Sequence, residues 1–221
     1  MVTTRTRTRR LLCAAMAGSL AFLAGGCGES DDGKAVDDYV TADKLCGGGA
    51  VTKDGAKALE LITGDTRFAA SGKYSTVADA AEKLTREAVP AASGRGDICR
   101  LYPEAPVDEL RVRWFLSNMP PKGSSASEFS TLSMGEKAGA AHDTAFVTFP
   151  CSHKEHPLAR PDYISVWIEA TGRPTEPEGD VRSQKNAYAT LAHSFALAMA
   201  RELGCEDNGG LKAKPSLIPA S

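Results

Sequence analysis

The chain has 221 residues, with 26 basic and 28 acidic side chains, a net charge of −2, 42% apolar residues and only 6% aromatic ones. Without a basic block it offers little to a nucleic-acid backbone or an anionic lipid surface. Its length suits one domain with a sizeable core.

The chain opens on an export pattern. Residues 1–10 carry Arg5, Arg7, Arg9 and Arg10 and no acid, and the fourteen residues from Leu11 to Ala24 carry no charge. A helix of that length is too short for a hydrocarbon core of ~30 Å. Gly25 and Gly26 follow, small enough for the cleft of a signal peptidase, and then comes Cys27, whose thiol can take a diacylglycerol. Leu23-Ala24-Gly25-Gly26-Cys27 resembles the lipobox of bacterial lipoproteins, with Ala24 where the commonest form has leucine. The resemblance implies that residues 1–26 are removed and that Cys27 becomes the acylated N-terminus, palmitate or a similar chain joining the diacylglycerol. At ~0.8 kcal/mol per buried methylene, two or three chains hold a protein to a membrane essentially permanently. Thr8-Arg9-Arg10-Leu11-Leu12 also resembles the core of a twin-arginine signal, so both the general secretory and twin-arginine routes stay open.

Cleavage leaves 22 basic residues against 28 acidic, a net charge of −6. Residues 27–42 are polar and acidic and are expected to form a flexible tether. Cys13 and Cys27 drop out of the pairing problem, which leaves Cys46, Cys99, Cys151 and Cys205. An even count outside the cytoplasm reads as two disulfides with three possible connectivities.

From residue 43 the periodicity is first helical. Ala58, Leu59 and Ile62 share a face that ends at Gly64, "TRFAA" suits a short strand, and Ser75 or Thr76 caps a helix with a stripe of Ala80, Leu84 and Ala88. The period then falls to two. "DICRLYP", "ELRVRWFLSNM", "TAFVTFPC" and "DYISVWIEATG" read as strands, the second sending Leu110, Val112, Trp114 and Leu116 inward. Residues 120–143 read as a long mobile or functional loop, and residues 172–179 as a proline-interrupted connection. A long amphipathic helix follows from about Val181 to Leu203, carried by Tyr188, Leu191, Phe195 and Met199. The tail, 207–221, has no periodicity and is expected to be disordered. The order implies an α+β domain over 43–206: a twisted antiparallel sheet of about four to five strands against two or three helices, stapled by two disulfides. Cys151 ends an inward-facing strand and Cys205 follows the covering helix, so the preferred pairs are Cys151–Cys205 and Cys46–Cys99.

Motifs for chemistry are sparse. "CSHKEH", Cys151 to His156, could hold zinc only if Cys151 stayed reduced, so no metal or cofactor is expected. His142 and His193 have no partner in sequence, and His193 is expected at the surface or core edge. No nucleophile elbow, zinc-protease motif or serine–lysine signature occurs. "GGGA" after Cys46 reads as a turn beside a disulfide, "GRGD" at 94–97 as a turn, and Trp114 and Trp167 as sheet packing or, if both are exposed, a ligand face. The whole is similar to the actinobacterial cell-surface lipoproteins of unknown function, through the lipobox, the acidic tether, "ADKLCGGG" and the helix ending "ELGC". That resemblance carries no catalytic residue over. The expectation is a non-enzymatic binding or interaction module, lipid-anchored through Cys27 on the outer face of the cytoplasmic membrane. Its sheet edges or the 120–143 segment would meet a protein or cell-wall partner. The alternative is a cell-envelope hydrolase with an unrecognised active site.

Overall fold

Capping decides where the first helix starts and stops. In the computed structural model, which describes residues 39–69, 76–88, 93–103, 107, 109–152, 162–172 and 179–220, Thr52 Oγ1 accepts the Gly55 N–H at 3.1 Å. Gly64, at φ +78°, closes the other end with its N–H on Glu60 O. These residues all belong to one compact unit, Asp37–Ser221. In chain order they form β1 (Tyr39–Thr41), a 3₁₀ segment (Ala42–Gly47), α1 (Lys53–Thr63), β2 (Arg67–Ala69), α2 (Val77–Ala88), β3 (Ser93–Leu101), β4 (Glu109–Ser117), β5 (Ser130–Leu132), β6 (Lys137–Ala140), β7 (Thr144–Cys151), β8 (Asp162–Thr171), α3 (Val181–Glu202) and a second 3₁₀ segment (Glu206–Gly210). α2 opens on Thr76, whose hydroxyl accepts the Asp79 N–H at 3.0 Å. Ser75, the other candidate cap, lies outside the described residues.

The main sheet has six antiparallel strands in the order β3-β4-β8-β7-β6-β5, and β1 and β2 form a separate antiparallel pair. Alternation fixes the central register. Val112 lies opposite Ile168, Trp114 opposite Val166 and Leu116 opposite Ile164, while Val147 and Phe149 meet Val166 and Ile164 from the other side. All these side chains are buried on one face. α3 lies across β6, β7 and β8, α2 covers β3, and α1 packs on α3. Because α3 is covered by the sheet and by other helices, Tyr188, Leu191, Ala192, Phe195, Ala196 and Ala200 are all buried. An amphipathic stripe alone would not require that.

Both expected disulfides are present. Cys46–Cys99 has a Cα–Cα separation of 5.8 Å, and Cys151–Cys205 one of 4.8 Å. Cys99 is fully buried, so the first bridge ties the N-terminal 3₁₀ segment to the core side of β3. The glycines after Cys46 do form a turn, with positive φ at Gly47, Gly48 and Gly49. A Cβ on Gly47 would stand 2.8 Å from Thr76 Cβ, so the turn abuts the cap of α2.

Four expectations are corrected. The strand count exceeds four to five because the segment 120–143 is not a single loop but contributes β5 and β6. Its small residues hid the pattern: Ala138 and Ala140 are buried, and a Cβ on Gly139 would come within 2.8 Å of the Phe146 ring. "GRGD" is strand, not turn: Gly94 pairs with Leu116 and Gly96 with Trp114. A Cβ on Gly96 would meet the Trp114 indole at 2.8 Å, so glycine is needed there for close packing. The tether does not reach residue 42, since Tyr39, Val40 and Thr41 pair with Ala69, Phe68 and Arg67 and Ala42 is buried. The tail is not disordered: Leu211 is buried, Ser133 N donates to Ile218 O at 2.9 Å, and Ala220 N donates to Thr131 O at 3.1 Å. The edge of β5 has unpaired backbone groups to satisfy, and the tail supplies partners.

Candidate functional site

The expected chemical residues do not converge. Cys27, His153 and His156 lie outside the described residues, and Cys151 is oxidised. Among the described residues no group of three or more His, Cys, Asp and Glu could hold a metal ion. His142 is half-buried with Nε2 3.8 Å from Asp143 Oδ2. His193, expected at the surface or core edge, is 2% exposed and faces the backbone of Lys212. Burial pushes its pKa below the ordinary 6.5, with Arg201 acting in the same direction and the Lys212 backbone bond against it.

The two tryptophans do not share a face. Trp114 is buried under the helices, whereas Trp167 stands on the other side of the sheet. There it stacks on Phe146 at 4.7 Å and 18°, with Phe129 set edge-on to both rings and Phe115 edge-on to Trp167. The Arg113 guanidinium lies 5.6 Å from the Phe115 centroid and pairs with Glu169. The rings on this face pack on one another, and the Arg113 charge is paired within it.

A different arrangement occurs at the β5 edge. Between the first turns of α3, strands β5 and β6, and the tail lies a cleft of about 660 Å³. Its floor includes Leu132 and Ala140, and its roof is Leu217, Ile218 and Pro219. The roof is held by the two tail hydrogen bonds already described and by Ser133 Oγ donating to Pro219 O at 3.3 Å. At the mouth stand Arg182 and Lys185. Lys185 Nζ donates to Ser130 Oγ at 3.0 Å and to Glu128 O at 3.3 Å. Among the described residues no carboxylate lines the cleft. The neighbouring acid, Asp180, is turned to its own helix: it accepts the Ser183 hydroxyl at 2.6 Å and the Arg182 N–H at 3.0 Å, and these bonds hold its pKa below the ordinary value. A smaller cleft of about 280 Å³ beside α1 differs in sign, because Asp43, Glu60 and Asp65 line it together with Lys53 and Lys57.

Large aliphatic side chains are exposed selectively. Among the described residues seven large hydrophobics are exposed, and three of them, Val181 at 37%, Leu217 at 37% and Ile218 at 69%, border the cleft. Scattered apolar exposure needs no explanation, but clustering around a concavity marks a contact site. The sequence does carry a signal for it. Arg182 and Lys185 are three residues apart at a helix start, and "SLIP" at 216–219 is an apolar run within a polar tail.

Comparison with known proteins brings no match: no family model, no curated protein and no solved structure is similar to the chain. The two disulfides suit an oxidising compartment outside the cytoplasm. Among the described residues no helix is long and apolar enough to cross a membrane.

Proposed function

We propose that the protein is a non-enzymatic binding or interaction module, held on the outer face of the cytoplasmic membrane by acyl chains on Cys27, and that the cleft at the β5 edge is its contact surface. The anchor rests on the lipobox-like Leu23–Cys27 stretch together with the oxidised cysteines. One observation carries the binding role: three exposed aliphatic residues and two cations gather around one concavity whose roof is the chain's own tail. Such a lining supplies affinity and orientation, the work of a binding site.

The anchor is tested by mass spectrometry of the purified mature protein. The expected N-terminal peptide begins at Cys27 and carries a diacylglycerol thioether with further acylation; an unmodified Cys27 or an intact residue 1–26 segment overturns it. The contact surface is tested by crosslinking in intact cells. A crosslinker placed at Lys212, beside the tail, is expected to capture a partner from the native protein and to lose it in the Leu217→Ser/Ile218→Ser variant. Equal capture by both removes the cleft from the reading.

A hydrolase is the second reading, favoured by the Ser130 Oγ–Lys185 Nζ contact of 3.0 Å, which could act as nucleophile and base. Against it, Lys185 Nζ is shared between Ser130 Oγ and Glu128 O rather than held on Ser130 alone. Fluorophosphonate labelling of Ser130, lost in Ser130→Ala, would establish the hydrolase and displace the first reading.

A further inference from the structure

We infer that the β5-edge cleft binds a single acyl chain carrying an anionic head group. The inference rests on the reading of this cleft as the contact surface and adds the chemistry of the ligand. The lining of the cleft is of two kinds: aliphatic, with buried Leu132 and exposed Leu217 and Ile218, and polar, with Arg182, Lys185 and Ser130. Its volume of about 660 Å³ lies within the range of small-molecule sites. A ligand that meets both kinds must have an apolar body and a compact negative head.

Donors for such a head are in place. An ammonium has three protons, and two of those on Lys185 are directed to Ser130 Oγ and Glu128 O, which leaves a third for an incoming oxygen. Ser130 Oγ accepts from Lys185, so its own proton can be donated as well. Arg182 adds a planar guanidinium suited to a carboxylate or phosphate. Among the described residues no acid lines the cleft, and Asp180, whose carboxylate also acts on Arg182, is bonded at its helix start to the Ser183 hydroxyl and the Arg182 N–H. A cationic amphiphile of the same length would bring like charges together. The charge on the whole chain sharpens the contrast, because an acidic protein repels anions at long range and only a local cationic site admits them. Two sources share this chemistry: a free fatty acid, or a single-chain lipid with a phosphate head.

The test is photolabelling of the full-length chain, purified with its native processing, in phosphatidylcholine nanodiscs. Three diazirine probes of equal length are compared: hexadecanoate, hexadecyl phosphate and hexadecylammonium. The anionic probes are expected to label peptides containing residues 181–186 and 217–219, about tenfold more than the ammonium probe. The stronger of the two anions identifies the source. Arg182→Gln/Lys185→Gln, both at the cleft mouth, should reduce anion labelling about tenfold without reducing labelling by the ammonium probe. Equal labelling by all three probes, labelling confined to other peptides, or an undiminished signal in the double variant each overturns the ligand assignment. If the anions fail while the cellular crosslink still depends on Leu217 and Ile218, only the ligand class falls. If the crosslink is also indifferent to those residues, the contact surface itself falls.

Discussion

The main sheet has two edges, and they are protected in different ways. β3 is nine residues long, bent between Asp97 and Cys99 by a register shift, and fastened from its core side by the Cys46–Cys99 bridge. Its outward residues carry charge, including Arg95 and an Asp97–Arg100 pair at 2.9 Å, and Ala69 N donates to Tyr102 O just past its end. β5 is only three residues long, and its cover is the tail. Pro219, opposite Leu132 and flanked by the two tail bonds, has no N–H to offer a further strand. One edge is thus closed by a covalent bond, a bulge and charges, the other by a few non-covalent contacts made by a chain terminus. Both prevent edge-to-edge pairing. Only the second can also form the wall of a cleft.

The sharpest way to break this contrast is to remove the covalent link. Cys46→Ala/Cys99→Ala opens a loop closed across 53 residues, worth about 4 kcal/mol in the loop-entropy model. We expect a loss of that order in the unfolding free energy, measured by denaturant titration, with hydrogen exchange rising first in β1, β2 and β3. Exchange in the tail should be unchanged until global unfolding. A loss below about 1 kcal/mol would mean that the bulge and packing hold the β3 edge without the bridge.

Legibility follows the same division. β4 and β8 could be read because bulky residues alternate against a covered face, and α3 because Tyr188, Leu191, Phe195 and Met199 recur at helical spacing. The Cys151–Cys205 bridge followed from the ends of β7 and α3, and Cys46–Cys99 was the pair that remained. Where small residues do the packing, pattern fails. Gly96 and Gly139 make room for Trp114 and Phe146, so their strands look like turns or loops. Tyr39–Thr41 is too short for period two to stand out, and it forms by pairing with a partner nearly thirty residues away. The cleft was the least legible feature. It is assembled from a segment read as loop and a tail read as disordered, and only long-range pairing brings Leu132 to Pro219.

A smaller change tests the other edge. Truncation after Ser216 removes the roof of the cleft and the bonds to Thr131 and Ser133. At ~0.5–1.5 kcal/mol net per hydrogen bond, the two backbone bonds put the expected cost at about 1–3 kcal/mol. The bare β5 edge should also promote self-association beyond that of the intact chain, measured by analytical ultracentrifugation over a concentration series. Unchanged stability and unchanged association together would show that the tail does not protect the edge.

The smallest effect separates the edges by pH. His193 projects from α3 under the tail, where, among the described residues, the charged neighbours Lys212, Lys214 and Arg201 are all cations. Burial keeps the imidazole neutral in the folded state, so its pKa lies below the 6.5 of the free side chain. With the folded value depressed, the unfolded or undocked state takes up the proton first. Stability from this group is therefore complete above pH 6.5 and is lost as pH falls through the folded value. Because Leu211 and Lys212 cover the ring, the least costly way to admit a proton is to lift the tail while the rest of the domain stays folded. Between about pH 7.5 and about pH 5.5, hydrogen exchange corrected for its intrinsic rate should increase over residues 211–220 and stay level in β3. His193→Gln, which keeps a donor for the Lys212 backbone but cannot titrate in this range, should flatten the response. A response that persists in that variant would place the acid sensitivity of the tail in another group.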